Sequence, residues 1–124
     1  MGDRSKILKS GNGWRLGWDP DAGEFTGLLG NDTWAMELTA AELDDFCQLL
    51  EKLATTMEQM AGELMDEERI ACEAESDRMW MEVEGFPHAY SLQVILKTGR
   101  RCEGYWEPEA LTHLLAAARS LSVF

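Results

Sequence analysis

The residue types that most often bind metals or act as nucleophiles are few in this sequence and widely separated. The 124-residue chain has three cysteines and two histidines. Cys47, Cys72 and Cys102 each fall in phase with apolar neighbours, which is typical of buried, reduced thiols rather than of a zinc site. His88 follows a proline in a predicted turn, and His113 lies on a predicted helix without the partners that a nucleophile needs. We therefore expect neither a metal nor any other cofactor.

Carboxylates are abundant, but they form no recognisable catalytic or metal-binding pattern. The run "DEER" at 66–69 lacks the alternating oxygen ligands and the central glycine of a calcium loop, so it is typical of the solvated end of a helix. Phosphate-binding glycine loops and Gly-x-Ser-x-Gly elbows are absent, and "GNG" at 11–13 indicates a turn. Choosing two carboxylates as acid and base would be arbitrary. We predict a protein that is not an enzyme.

The formal net charge of −12 is unevenly distributed. Between residues 19 and 84 the only bases are Lys52, Arg69 and Arg78, whereas the two ends of the chain are mildly basic. An acidic body repels phosphate at long range, so contact with nucleic acid is disfavoured and would have to be local. Such contact would use basic residues of the ends, and the candidate phosphate contacts are Lys6, Lys9, Arg15, Lys97, Arg100 and Arg101.

The chain has neither a run of about 18 apolar residues nor the charged, apolar and small-residue order of a secretory signal. We therefore expect a soluble, cytoplasmic protein that does not associate with membranes. The length and the hydrophobic content of 45% indicate a single packed domain over residues 1–124.

A long helix is predicted from a capping box in the segment "TAAE". Thr39 can accept from the backbone N–H three residues on, while Glu42 reaches back to the backbone N–H of Thr39. Apolar residues then recur at spacings of three and four, which predicts one buried helix face. This helix seam consists of Leu43, Phe46, Leu50, Leu53, Met57, Met60 and Leu64. It packs either across the chain's own sheet or against a second helix, including one from a second copy of the chain in a homodimer.

Strands with one buried face are predicted on both sides of this helix. Apolar and polar residues alternate over 14–18, 34–38, 70–75, 79–84 and 90–96, the segment "EFTGLLG" at 24–30 predicts a further strand, and turn residues separate these segments. A further strand, "RCEGYW", ends where Pro108 opens a second helix. The pattern predicts an α+β fold with an antiparallel sheet of about six to eight strands, one long helix and one shorter helix.

The order of these elements suggests a duplicated unit of strands followed by a helix. Residues 1–66 would hold strands and the long helix, and residues 67–124 an antiparallel meander and the C-terminal helix. "WDPD" at 18–21 and "WEPE" at 106–109 are a faint internal echo of the same kind.

Trp14, Leu16 and Trp18 share the core phase with their apolar neighbours, so the candidate binding surface is the sheet face opposite the helices. Glutamates outnumber cations among the out-of-phase residues, which opposes a platform for single-stranded nucleic acid. A basic or aromatic surface of a protein partner would suit this face better. The candidate surface residues are Lys6, Lys9, Arg15, Trp80, Lys97, Arg100, Arg101 and Tyr105.

Four long segments resemble a small family of cyanobacterial proteins of unknown function. They are "SGNGWRLGWDPD", "WAMELTAAELDDFCQLL", "MDEERIACEAESDRMWMEVEGFPHAYSLQVIL" and "TGRRCEGYWEPEA". The resemblance implies a cytosolic protein with no assigned reaction. It also implies the fold of the single-stranded-DNA-binding transcriptional regulators of the positive-cofactor and Whirly type, which is built from repeated units of four strands and a helix.

The chain departs from that fold group in one respect that bears on function. The lysine-rich "KGKAAL" signature of Whirly proteins is missing, so no DNA-binding residue carries over. We predict a non-enzymatic interaction or regulatory module that binds a protein partner of unknown identity. Weak binding of single-stranded nucleic acid, or a transcription-related role, through the basic ends is the alternative.

Overall fold

Each half of the chain forms an antiparallel meander of four strands that ends in a helix. The computed structural model describes residues 6–63 and 68–121. The first sheet contains β1 (Ile7–Gly11), β2 (Trp14–Trp18), β3 (Gly27–Gly30) and β4 (Ala35–Leu38), and α1 (Ala40–Ala61) follows it. The second sheet contains β5 (Ile70–Glu75), β6 (Met79–Phe86), β7 (Ala89–Leu96) and β8 (Glu103–Trp106), and α2 (Pro108–Leu121) follows it. The predicted α+β class with repeated strands-then-helix units is confirmed.

Strand β1 is the element that the alternation pattern did not reveal. It pairs with β2 through the Asn12–Gly13 turn, in which Gly13 adopts a φ of +83° that favours glycine. Two adjacent apolar residues, Ile7 and Leu8, obscure the period of two in this strand. The Asn-Gly pair between two extended segments was the available signal for a hairpin.

The echo between "WDPD" and "WEPE" does not mark equivalent positions of the two units. Trp18 ends β2 and leads into the loop before β3, whereas Trp106 ends β8 and leads directly into α2. The counterpart of the second motif in the first unit is therefore the end of β4, where Leu38 precedes the cap of α1. The repeated order of elements stands without this sequence echo.

Helix α1 begins at the predicted capping box. The Thr39 hydroxyl accepts from the backbone N–H of Glu42 at 3.2 Å, and the Glu42 carboxylate accepts from the backbone N–H of Thr39 at 2.8 Å. These two bonds satisfy donors that the first turn of a helix leaves without partners. Gly62 caps the other end of the helix.

Both helices pack on both sheets, so the two units share one hydrophobic core. Helix α1 contacts β5 and β6 of the second sheet and β3 and β4 of the first. Helix α2 contacts β7 of the second sheet and β1 and β2 of the first, and the helices also contact each other. As predicted, Trp14 and Leu16 belong to this core, and Trp18 packs at its border.

Two tryptophans join the sheets where β8 approaches the first sheet. The Trp106 indole is buried, and its Nε1 donates to the carbonyl oxygen of Gly30 at 2.9 Å. The rings of Trp34 and Trp106 lie 5.1 Å apart between centroids. The ring of Trp34 also lies against the backbone of Gly104, where a Cβ atom would collide with it. Glycine at this position lets a side chain of the first sheet cover a strand of the second.

The structure contains no helix, within the residues it describes, that is long and apolar enough to cross a membrane.

Substitution of Gly104 by alanine should destabilise the protein through this contact. The added Cβ would meet the Trp34 ring and lie 3.1 Å from the Trp106 ring. We expect Gly104→Ala to lower the free energy of unfolding by about 1–3 kcal/mol, measured by urea denaturation. Gly99→Ala is the matched control, because a Cβ there meets no atom within 4 Å, and its effect should stay within about 0.5 kcal/mol. Equal stabilities of the two variants would contradict the proposed packing.

Candidate functional site

The second sheet presents one face to the helices and the opposite face to solvent. Met81 and Val83 of β6 and Leu92 and Val94 of β7 point into the core and are at most 1% exposed. We call the opposite side the outer face. It consists of residues 71, 73 and 75 of β5, residues 80, 82 and 84 of β6, residues 91, 93 and 95 of β7, and residues 103 and 105 of β8.

Strand register arranges the outer face in rows that cross the sheet. One row runs Glu73, Glu82, Gln93 and Tyr105, and the next runs Glu75, Trp80, Ile95 and Glu103. Trp80 and Ile95 are half-buried neighbours in the centre, and Tyr105 is 49% exposed at one side. The outer face is therefore an apolar and aromatic strip with carboxylates around it.

Two of these carboxylates oppose each other directly. Glu73 of β5 and Glu82 of β6 form a cross-strand pair, which places their Cβ atoms about 5 Å apart. Neither carboxylate forms an ion pair or hydrogen bond with any residue in the described parts of the chain. Like charges in this position are destabilising.

The predicted surface residues of the second sheet fall on or beside the outer face. Trp80 and Tyr105 lie on it, and the Lys97 ammonium at its edge pairs with the Glu75 carboxylate at 2.8 Å. Arg100 and Arg101 lie in the turn between β7 and β8.

The predicted surface residues of the first sheet do not join that face. The Arg15 guanidinium donates to the carbonyl oxygens of Asn31 and Trp34, both at 2.9 Å, and so holds the turn between β3 and β4. The Lys9 ammonium donates to the hydroxyl of Ser120 in α2 at 2.5 Å. Lys6 is exposed just before β1. The basic residues are thus distributed over several surfaces, and two of the three on this sheet already make bonds within the chain.

Arg100 forms a buried contact that links the two halves of the chain. Its Nη2 lies 2.5 Å from Oε1 of Glu42 and donates to the carbonyl oxygen of Glu37 at 3.1 Å. The Arg100 guanidinium also lies over the Phe25 ring, 4.5 Å from the ring centroid. The Glu42 side chain is only 3% exposed. Burial alone would raise the pKa of Glu42, but hydrogen bonds from Thr39 and Arg100 outweigh it and hold the pKa below the ordinary 4.5.

The predicted helix seam is mostly covered by the chain itself. Leu43, Phe46, Leu50, Leu53 and Met57 are at most 2% exposed, and Met60 is half-buried. Leu64 lies outside the described residues. Over the described residues the seam packs within the chain, and α1 contacts both sheets and α2. A contact between the seam and a second copy of the chain stays a prediction.

No group of three or more His, Cys, Asp or Glu side chains among the described residues is arranged to hold a metal ion. All three cysteines are free thiols in half-buried positions. Burial, with the nearby charge of Asp44, raises the pKa of Cys47 to about 11, so it stays protonated at neutral pH.

A cleft that the sequence did not predict lies beside the outer face. It has a volume of about 820 Å³ and is formed by the β1–β2 turn, the β3–β4 turn, the end of β8 and the start of α2. Tyr105 belongs both to its lining and to the outer face. Because its residues come from four distant segments, no local motif could have revealed it.

Comparison with known proteins finds similarity over nearly the whole chain. A family described as a domain of unknown function (DUF1818) matches residues 9–121. A crystal structure from Prochlorococcus sp. NATL2A, described as a protein with unknown function from the DUF155 family, is similar with a TM-score of 0.89 and 29% sequence identity. That similarity covers 94% of this chain and 98% of the other. No curated protein shows significant similarity to the chain.

The substitution Glu42→Gln tests how the contribution of the Glu42–Arg100 pair to stability depends on pH. Because the folded protein lowers the pKa of Glu42, the ionised carboxylate stabilises the fold fully above about pH 4.5, and this contribution is lost as the pH falls through the folded pKa. We expect Glu42→Gln to lower the free energy of unfolding at pH 7 by about 1–3 kcal/mol. The gap from the wild type should narrow below pH 4.5 in urea denaturation. Glu37→Gln, at an exposed neighbour, should show no such gap, and a pH-independent gap for Glu42→Gln would refute the assignment.

Proposed function

Because the chain belongs to the DUF1818 family, which is defined as a domain of unknown function, we propose a function from the geometry of its surface. We infer that the protein is a non-enzymatic, cytoplasmic module that binds a basic protein partner through the outer face. The unpaired, directly opposed carboxylates of Glu73 and Glu82 carry this inference.

An opposed pair of like charges lowers the stability of the sheet that contains it. Cross-strand pairs of this kind change stability by about 0.2–1 kcal/mol. A partner that places a lysine or arginine between Glu73 and Glu82 would replace repulsion with attraction in the bound state. The unfavourable pair in the free protein therefore supports binding of a cationic group at this position.

The neighbouring residues fit a protein segment better than a small cation. The half-buried Trp80 and Ile95 and the exposed Tyr105 provide apolar and aromatic area, which is enriched at protein interfaces. Strands are about 4.8 Å apart, so the row from Glu73 to Tyr105 spans roughly 14 Å. A second copy of the chain would fit poorly in a symmetric contact through this face, because it would bring the same glutamates together.

Removing the two charges should affect stability and binding in opposite directions. We expect Glu73→Gln with Glu82→Gln to raise the free energy of unfolding by about 0.2–1 kcal/mol, because the repulsion is removed. The same variant should bind a labelled hexa-arginine peptide at least fivefold more weakly in fluorescence anisotropy, because a cationic site is lost.

The control variant has the same net charge as the Glu73→Gln, Glu82→Gln variant but leaves the outer face intact. Glu24→Gln with Glu63→Gln removes two exposed carboxylates that do not belong to the outer face. It should leave stability unchanged within about 0.5 kcal/mol and weaken peptide binding only slightly. An equal loss of binding in both double variants would show that the peptide responds to overall charge and would rule out the outer face as the site.

Single-stranded nucleic acid is the alternative, and the contacts of the basic residues support it less. Arg15 and Arg100 are engaged by backbone carbonyls and Glu42, and Lys97 and Lys9 contact Glu75 and Ser120. Lys6 and Arg101 are the exposed cations of the predicted set whose side-chain charges have no partner among the described residues. The resemblance to single-stranded-DNA-binding regulators remains a prediction about fold.

A salt titration separates the two functions. Two phosphate contacts would give a slope of only about −1.4 in log affinity against log salt. If the outer face binds a protein, a labelled 20-nucleotide single strand should not bind measurably at 50 mM salt. Binding that is lost on Lys6→Ala with Arg101→Ala would transfer the proposal to nucleic acid. Arg100→Ala is unsuitable for this test because it breaks the contact with Glu42.

A further inference from the structure

The lining of the cleft beside the outer face includes a hydrogen-bond donor without a partner among the described residues. Trp14 is only 9% exposed, yet its Nε1 makes no hydrogen bond with any described residue. Among the described residues, the fully buried side-chain nitrogen and oxygen atoms without a hydrogen-bond partner are the hydroxyls of Thr26 and Thr98. Trp14 Nε1 is not one of them, so this atom is accessible to solvent. An accessible indole N–H that has no acceptor within the chain can donate to an acceptor atom of a bound molecule.

Glycine at position 11 keeps the approach to that donor open. Gly11 pairs with Trp14 across the hairpin, and both residues line the cleft. A Cβ atom at position 11 would collide with Nε1 of the indole. The absence of a side chain therefore leaves the N–H edge of Trp14 uncovered on the side of the cleft.

The rim of the cleft is strongly acidic. Asp32, Glu107 and Glu109 are exposed in its lining, and the lining contains no lysine or arginine. One oxygen of Asp32 accepts from the backbone N–H of Gly13 at 3.1 Å, which leaves its other oxygen available. The ring of Tyr105 forms part of the wall, where a cation can lie against its face. This combination favours a cationic group at the rim and an acceptor oxygen at Trp14 Nε1.

We propose that the cleft binds an arginine residue of the basic partner. The main-chain carbonyl oxygen of that arginine accepts from Trp14 Nε1, and its guanidinium lies among Asp32, Glu107 and Glu109 beside Tyr105. This proposal rests on the proposed function, since Tyr105 connects the cleft with the outer face and one extended segment can reach both. The volume of about 820 Å³ is ample for one large side chain with its peptide group.

A single-residue probe tests the cleft separately from the outer face. The probe is N-acetyl-arginine methylamide, and its neutral isostere is N-acetyl-citrulline methylamide. The indole N–H signal of Trp14 in the ¹H–¹⁵N spectrum is assigned from its loss in Trp14→Phe. We expect the arginine probe to shift this signal saturably, and the citrulline probe to shift it much less at equal concentration.

Variants of the exposed rim keep the test independent of folding. Glu107→Gln and Glu109→Gln should each weaken the arginine probe about two- to fivefold, the range for an exposed ion pair. Glu24→Gln, with the same charge change outside the cleft, should leave the affinity unchanged. An unshifted Trp14 signal, equal shifts from the citrulline probe, equal binding of spermidine, or insensitivity to the rim variants would each overturn the proposal.

The two proposals fail in distinguishable ways. Glu73→Gln with Glu82→Gln should leave the titration of the Trp14 signal unchanged. A single-residue probe bound in the cleft cannot reach the β5–β6 pair that carries these two glutamates. If that variant abolishes hexa-arginine binding while Trp14 never responds, the outer face stands and the cleft is refuted. If Trp14 responds while hexa-arginine binding ignores Glu73 and Glu82, the cleft binds arginine and the outer-face function is refuted.

Discussion

The buried carboxylate of Glu42 is the constraint on which much of this structure depends. A charge at this depth needs compensation, and the backbone of Thr39 and the guanidinium of Arg100 supply it. Arg100 also holds the carbonyl of Glu37, so a turn of the second sheet is fastened to the end of β4 and to the start of α1. Asp45, one turn further along α1, holds Ser76 in the β5–β6 turn in the same way. Polar contacts at one end of a helix thereby fix how the two units meet.

The second sheet has an apolar inner face and an outer face on which like charges oppose each other. Its inner face is filled with Met, Val and Leu side chains that stabilise the fold by burial. Its outer face keeps opposed glutamates where neutral or oppositely charged pairs would be more favourable. Because the inner face supplies the stability, the outer face is free to carry residues selected for another purpose. The same division applies to Trp14, whose ring stabilises the core while its N–H edge meets the cleft.

The features that arise within one element were predictable, and those that join distant elements were not. The alternation in β6 and the capping box at Thr39 depend on neighbours in sequence, so the pattern was sufficient to predict them. The pairing of Arg100 with Glu42 joins residues 58 positions apart, and nothing local specifies it. The period of two was sufficient to predict which residues lie on the outer face. The direct opposition of Glu73 and Glu82 could not be predicted, because it depends on the strand register, which a slip of one residue would alter.

The sharing of each helix between the two sheets also determines how this chain can fold. When residues 6–61 have emerged from the ribosome, the apolar side of α1 can contact β3 and β4, but β5 and β6, which complete its cover, have not yet emerged. Until β5 and β6 emerge, the leucines and methionines on this side of α1 are therefore exposed to solvent and to chaperones. Many contacts join segments far apart in sequence, as between α2 and β1 or β2, and contacts of this kind slow folding. Although the two halves repeat the same order of elements, each helix contacts both sheets, so we expect neither half to fold independently.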